Sequence, residues 1–228
     1  MKEFEYLGLK IKWIYHDCFL IKTNKLTIYT DPYGIPKGEP ADLILVSHDH
    51  FDHFSPNDIK KIMKTESILI GPLELENKLG FFKGRYYKLI KPWEEYIVKE
   101  YDIRVVGIPA YNVNKFRAPG IPFHPKEDNK LGFVFEVAGV KLYHAGDTDN
   151  IPEMKKLRDM NIDIAFLPIS GTYVMTPEEA VEAVKMIMPK IVIPMHYGAI
   201  VAGRREADRF RELMKDIDVQ LVILEPEH

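Results

Sequence analysis

Leu43-Ile44-Leu45-Val46 is an apolar run without polar relief, and one residue later the chain reads His48-Asp49-His50-Phe51-Asp52-His53. A run of this kind suits a strand covered on both faces, not one lying on a solvated surface. The fold must therefore bury a strand whose end carries three imidazoles and a well-placed carboxylate. A cluster of metal-ligating side chains at the mouth of a buried strand points to an enzyme. Three further pieces bear on it: Asn112 in Pro-Ala-Tyr-Asn, Asp147 in Tyr-His-Ala-Gly-Asp-Thr-Asp, and His196 in Pro-Met-His-Tyr-Gly.

The elements around this strand set the fold class. Ile11 to Tyr15 alternates, and Cys18 to Ile21 and Leu26 to Tyr29 follow as strands about a turn at Thr23-Asn24-Lys25. Ser55-Pro56 opens a helix, with Ser55 as cap and Asp58 as a favourable charge in the first turn. Ile68 to Ile70 reads as a strand and 72–79 as a short helix closed by Gly80. Residues 86–90, 95–99 and 103–108 read as strands, and 132–137 pairs with 140–143 in a hairpin about Ala138-Gly139. Residues 152–160 are helical and 164–167 extended. A helix opens with the capping box at Thr176 to Glu179, and 191–193 is another buried strand. A last helix over 204–215 and a strand over 219–224 close the chain. Strands dominate the first third and alternate with helices later. That order fits an α/β sandwich of two mixed sheets with helices outside, and fits a single doubly wound sheet poorly. No linker divides residues 1–228, so one domain is expected. Residues 112–129, rich in proline and aromatics, read as a packed surface loop or a lid over a site.

His48 and His50 are two residues apart, so in extended backbone both side chains point the same way and reach one metal. Asp52 shares that parity. His53 departs from it and turns aside as the chain enters the loop. The pattern suits a pair of ions, with His48 and His50 on one and Asp52 and His53 on the other. Such donors suit Zn²⁺ foremost, or Mn²⁺ or Fe²⁺. Two ions need more ligands, and the polar residues after other strands are the candidates. Asp147 has two oxygens and is the natural bridge. His196, after the strand near Ile193, completes the second ion. The plainer readings are a solvated turn for the hexapeptide, a helix cap for Asp147 and a packed polar residue for His196.

His-x-His-x-Asp-His, a later Gly-Asp after a strand and a late Met-His-Tyr-Gly resemble the metallo-beta-lactamase superfamily. Trp13 to Phe19 and the Tyr29-Thr30-Asp31-Pro32-Tyr33 turn resemble its compact branch. That branch holds metal-dependent hydrolases, ascorbate-phosphate lactonases and, more distantly, N-acyl phosphatidylethanolamine phospholipases. The resemblance implies a four-layer alpha-beta/beta-alpha sandwich with the site at one edge of the two sheets. It implies that Asp147 bridges and that Asp52, His53 and His196 hold the second ion. It also implies a third histidine on the first ion, after the strand ending near Ile108. This chain has Asn112 there, whose amide oxygen is a weaker ligand than imidazole. His124 on the nearby loop is the substitute; otherwise the first ion is weak or absent. The resemblance brings His16 to the site rim, to contact metal or substrate or simply to be satisfied by local backbone. Asp31 orients a ligand histidine or caps its own turn. His144 reads as structural.

The implied chemistry is hydrolysis by a metal-activated water, with Asp52 both binding metal and passing the proton. The expected substrate is a small ester, lactone, amide or phosphodiester. Lys115, Arg117 and Lys126 on the proline-rich segment, and Arg204 and Arg205 at the last helix, would make it anionic if they surround the metals. The alternatives are a nucleic-acid phosphodiesterase and a metal-binding module without hydrolysis. A formal net charge of -3 and no basic cluster with interleaved aromatics argue against nucleic acid. No apolar run approaches a membrane span. The N-terminal residues lack the apolar core of a signal peptide and Cys18 is the only cysteine, so the cytoplasm is the expected compartment. Abundant Lys, Glu and Ile with a single Gln220 lean toward a thermophilic source. Tyr33, Phe81, Phe82, Tyr86 and Tyr87 are expected on the surface, where they could support a homo-oligomer.

Overall fold

The buried run is a strand with one face in each of two cores. In the computed structural model, which describes residues 1–82, 86–198 and 200–227, strand β5 spans Ala41–Leu45. Its Leu43 and Leu45 enter a large core shared by two sheets, while Ala41, Ile44 and the following Val46 enter a smaller core outside. Complete burial of such side chains is worth about 1.5–3 kcal/mol each. The outer core is roofed by helix α1, Pro56–Ile62, through Ile59 and Ile62. Ser55 Oγ caps α1 by accepting from the Asp58 N–H at 3.2 Å.

The two seven-stranded sheets share one plan. In the first, β1 (Phe4–Tyr6), β2 (Leu9–Tyr15), β3 (Cys18–Lys22) and β4 (Thr27–Thr30) form an antiparallel meander. Strands β5, β6 (Met63–Pro72) and β7 (Tyr86–Ile90) then continue from β4 in parallel. In the second, β8 (Glu95–Val98), β9 (Ile103–Pro109), β12 (Leu131–Val137) and β13 (Val140–His144) run antiparallel. Strands β14 (Ile164–Pro168), β15 (Ile191–Met195) and β16 (Gln220–Leu221) then follow from β13 in parallel. Helices α2 (Pro177–Ile187) and α3 (Arg204–Leu213) pack on each other and bury Ala180, Val184, Ala207 and Phe210 in the core that holds the second sheet. The result is the expected four-layer α/β sandwich. Alternation drives it: in β2, Leu9, Ile11 and Trp13 enter the shared core while Lys10 stays outside.

Some boundaries move. Helix α3 ends at Leu213, short of Lys215, and the last ladder covers only Gln220–Leu221, although the Val222 N–H still donates to Val192 O at 3.0 Å. The segment after Asn112 contains a small hairpin, β10 (Phe116–Ala118) with β11 (Ile121–Pro122). Phe82 is a correction to the expected surface aromatics. It is 1% exposed and fills the outer core, whereas Tyr86 and Tyr87 are exposed. Among the described residues, no helix is long and apolar enough to cross a membrane.

Candidate metal centre

The parallel strands of both sheets direct their C-terminal ends to one edge, and the sequence-predicted histidines and carboxylates gather there. The first sheet supplies the hexapeptide. Beyond β5 the chain curls back, with the N–H groups of His53 and Phe54 both donating to His50 O. The curl is anchored by Asp31, after β4, whose carboxylate is buried. Asp31 Oδ1 accepts from the Ser47 N–H at 2.7 Å, and Oδ2 accepts from Ser47 Oγ at 2.7 Å and His53 Nδ1 at 2.8 Å. Ser47 Oγ, having donated to Asp31, accepts from His48 Nδ1 at 2.9 Å. Asp31 thus fixes two rings at once, turning Nε2 of His53 and of His48 inward.

The second sheet supplies its groups singly. Asp147 follows β13, held by Gly146 at φ +60°, where a Cβ would lie 2.7 Å from Leu131 O and 2.9 Å from Ser47 Cβ. Only glycine fits that approach. His196 follows β15, with Nδ1 on Ser170 Oγ at 3.0 Å. Asn112 follows β9, but its side chain does not join the cluster. Its Oδ1 accepts from the His124 N–H at 2.9 Å and from His124 Nδ1 at 2.8 Å, while its Nδ2 donates to Tyr173 O at 2.8 Å. The amide oxygen is spent on His124, and it is the His124 ring that points into the centre.

Asp147 lies between two sets of imidazoles. Its Oδ2 is 3.2 Å from His124 Nε2 and 3.9 Å from His48 Nε2, and its Oδ1 is 3.3 Å from His53 Nε2 and 3.2 Å from His196 Nε2. His50 Nδ1 is 2.9 Å from His48 Nε2. Ligand atoms of His48, His50, His124 and Asp147 all lie within 4.8 Å of one another, as do those of His16, His53 and His196. Donor atoms of His53, His124 and Asp147 are buried with no hydrogen-bond partner, as are both ring nitrogens of His16. Orphaned nitrogens and oxygens converging in this way fit divalent cations, since a buried polar atom without a partner is otherwise costly.

Electrostatics separates the sets. Burial pushes His48 well below the usual imidazole range, and burial with the neighbouring His124 pulls His50 down to about 4. Both rings are neutral and offer lone pairs. Burial is the largest influence on His53 and His196 too, but the carboxylates around them, Asp147 with Asp31 and Asp17 at His53 and Asp147 with Asp17 at His196, together outweigh it and hold both above the ordinary value. Burial likewise opposes ionisation of Asp147, yet His196 and His53 keep it well below the carboxylate range.

His16 sits in a turn closed by its own carbonyl, which accepts from Trp13 Nε1–H at 2.7 Å and from the His196 N–H at 3.3 Å. Its ring centroid is 4.0 Å from that of His196 and its Nε2 is 3.4 Å from Asp52 Oδ2. Burial lowers His16 to about 4. Asp52 is half-buried at the cavity wall; burial opposes its ionisation, but the close approach of the His16 ring and the His53 charge bring it down to about 2. Asp31, His16 and His196 all have φ between +38° and +60°. Such backbone costs about 1–3 kcal/mol per residue and concentrates where geometry is functional. His144, expected to be structural, binds Asp17 O through Nε2 at 3.0 Å.

None of the five basic residues proposed for an anion-binding rim is among those lining the cavity at this centre. Lys115 pairs with Glu179 at 2.7 Å and Asp149 at 3.3 Å, and Lys126 with Glu153 at 2.8 Å. Arg117 is exposed on β10. Arg204 lines a separate cavity of about 370 Å³ beside Trp13 and Tyr197, and Arg205 a recess beside Thr176. Sequence reading also missed the supports Ser47, Ser170 and Asp149. The Asp149 carboxylate accepts from the N–H groups of Val113 and Asn114 at 2.7 and 3.0 Å. Its place in Gly-Asp-Thr-Asp was the available signal.

A family model described as the beta-lactamase superfamily domain matches residues 10–196. With this fold and this site, the chain belongs to the metallo-beta-lactamase superfamily. A UPF0173 metal-dependent hydrolase of Thermoplasma acidophilum is 34% identical, covering 96% of this chain and 97% of that protein. One of Lysinibacillus sphaericus is 30% identical, covering 94% and 96%. Among solved structures, a Parabacteroides distasonis protein assigned as a metal-dependent hydrolase is 31% identical, with a TM-score of 0.81 over 99% of this chain and 98% of that one. These relatives place the chain among the superfamily's metal-dependent hydrolases.

Proposed function

We propose that this protein hydrolyses a small-molecule substrate with a water activated between two divalent ions. The observation that carries the reading is Asp147, whose two oxygens face two different groups of imidazoles. His48, His50, His124 and Asp147 Oδ2 would hold the first ion. His53, His196 and Asp147 Oδ1 would hold the second, with His16 and Asp52 at its open side. Imidazole with carboxylate suits Zn²⁺, and Mn²⁺ or Fe²⁺ compete for the same donors. When bound, such a pair acidifies a water and stabilises negative charge developing on the electrophile's oxygen.

The chain's own residues do the rest. Asn112 keeps His124 in the tautomer whose Nε2 faces the centre, and Asp31 does the same for His53. Asp52 is ionised, faces the cavity and leans on His16, so it can take a proton from the attacking water and return it to the leaving group. The segment 112–129 carries His124 and Phe123 to the cavity and forms one wall of it.

The test is metal content by elemental analysis of chain purified without chelator and re-equilibrated with Zn²⁺ or Mn²⁺. Two ions per chain, with ester or lactone hydrolysis that disappears on chelation and returns on reloading, is the expected result. No retained ion would end the reading. One ion would reassign His16, His53 and His196 to a role other than binding metal.

A further inference from the structure

The cavity over the metal centre holds about 390 Å³, and beyond its histidines and Asp147 it is lined by Phe51, Phe123, Tyr173 and Ile200 together with Asp52. Phe51 is 66% exposed although it sits between His50 and Asp52, where the curl could as readily carry a polar residue. Its ring meets Tyr33 edge-on at 5.8 Å. Phe123 packs edge-on against Tyr173 at 4.7 Å. That wall is tied to the centre, because Asn112 holds His124 with its oxygen and the Tyr173 carbonyl with its nitrogen. Val113, Phe116 and Ile121 on the same segment are exposed as well. Solvated aromatics beside a reactive centre mark a surface that a ligand covers.

Charge sharpens the ligand's character. Among the described residues, no lysine or arginine lines this cavity. Lys130, whose charge reaches His50, is buried and held by Glu74 at 2.9 Å and Asp49 at 3.5 Å. The carboxyl group of Asp52 also lies on the wall, 3.4 Å from His16 Nε2. An anionic substituent seated on the aromatic walls, away from the ions, would leave water with no lysine or arginine there to pair with, a desolvation cost without return.

We infer that the substrate is a neutral carboxylic ester or lactone whose apolar acyl group lies against Phe51, Phe123 and Tyr173. The inference rests on the hydrolase reading above and names its substrate class. In the reaction, water adds to the acyl carbon and the bond from that carbon to the alkoxy oxygen breaks. The alkoxy oxygen takes one of the water's protons, leaving as an alcohol from an ester or remaining as the hydroxyl of the ring-opened acid from a lactone, and the acid is released as a carboxylate with the other proton lost to solvent. The product is then the anionic species that the walls do not hold, which favours its release.

The experiment compares two acyl chains of similar size on the metal-loaded protein: p-nitrophenyl pentanoate, which is neutral, and the p-nitrophenyl monoester of glutaric acid, which ends in a carboxylate. The neutral ester should have a kcat/KM higher by about tenfold or more, and Phe51→Ala and Phe123→Ala should each shrink that ratio by about tenfold, the scale of an apolar pocket contact. Equal or better turnover of the glutarate monoester would overturn the inference while leaving the hydrolase reading intact. Binding of 4-phenylbutyramide, followed by ligand-observed NMR, separates the two readings. If neither ester is cleaved but the amide binds and Phe123→Ala weakens it, the apolar site stands and the hydrolase reading falls. If neither ester is cleaved and the amide does not bind, both fall.

Discussion

The two sheets obey the same plan, three antiparallel pairings followed by three parallel ones, yet they deliver chemistry to the shared edge differently. The first sheet delivers most of its groups within one hexapeptide after β5, and a single buried carboxylate, Asp31, organises it. The second delivers one group at a time from three separate strand ends, each with its own support: Asn112 for His124, Gly146 for Asp147, Ser170 for His196. A contiguous cluster can share one anchor because its members move together. A dispersed cluster needs an anchor per member, since nothing but the sheet fixes one strand end relative to the next. The first arrangement concentrates vulnerability in one residue, and the second spreads it.

The comparison breaks most sharply at Asp147, the group that joins the halves. Asp147→Ala should cost both ions and lower hydrolysis by on the order of 10²–10³ or more, as removal of a central charge-stabilising group does. A variant that kept two ions by elemental analysis would mean that the halves are not bridged here. Next comes Asp31→Ala. It releases the His53 and His48 rings together and leaves the buried Ser47 N–H unpaired, which costs about 1–3 kcal/mol. Metal affinity by chelator competition should fall at both ion positions, each by about 10–100-fold. Loss confined to one position would deny the shared anchor.

How far these halves could be read in advance follows the same division. The hexapeptide announces itself because its spacing is local: parity places His48 and His50 together, and the buried run before it names the strand. Both faces of β5 are covered, as that run requires. The third imidazole of the first group could not be placed by spacing. Alignment to the family pattern falls on Asn112, whereas the ring that reaches the centre belongs to His124, twelve residues on and carried back by the β10–β11 hairpin. Loop residues are fixed by hydrogen bonds that no periodicity encodes. The basic residues illustrate the converse. Lys115 and Lys126 are close to the centre in sequence, but each has a carboxylate partner from a distant element, Glu179 and Glu153, which only the fold reveals.

Asn112→Ala isolates one dispersed anchor. The His124 ring loses the acceptor that fixes its tautomer, so affinity at the first ion alone should fall by about 10–100-fold. The second ion should be retained, because its own anchors, Asp31 and Ser170, are untouched. Equal loss at both positions would show that the second sheet's supports act as a unit, like those of the first.

The smallest effect is expected from Arg204→Ala with Arg205→Ala. These residues open α3 only a few positions after His196, and by sequence they belong to the same dispersed half. In space they face other recesses, Arg204 beside Trp13 and Tyr197 and Arg205 beside Thr176. Proximity along the chain is what the first half relies on; in the second it carries no such weight, because β15 ends at Met195 and the backbone turns at His196 with φ +60° before the helix begins. The double variant should therefore leave KM for the glutarate monoester within about twofold of the parent, as surface changes away from a site do. A KM raised tenfold would place the start of α3 at the cavity after all, and would restore an anionic substrate in place of the apolar one.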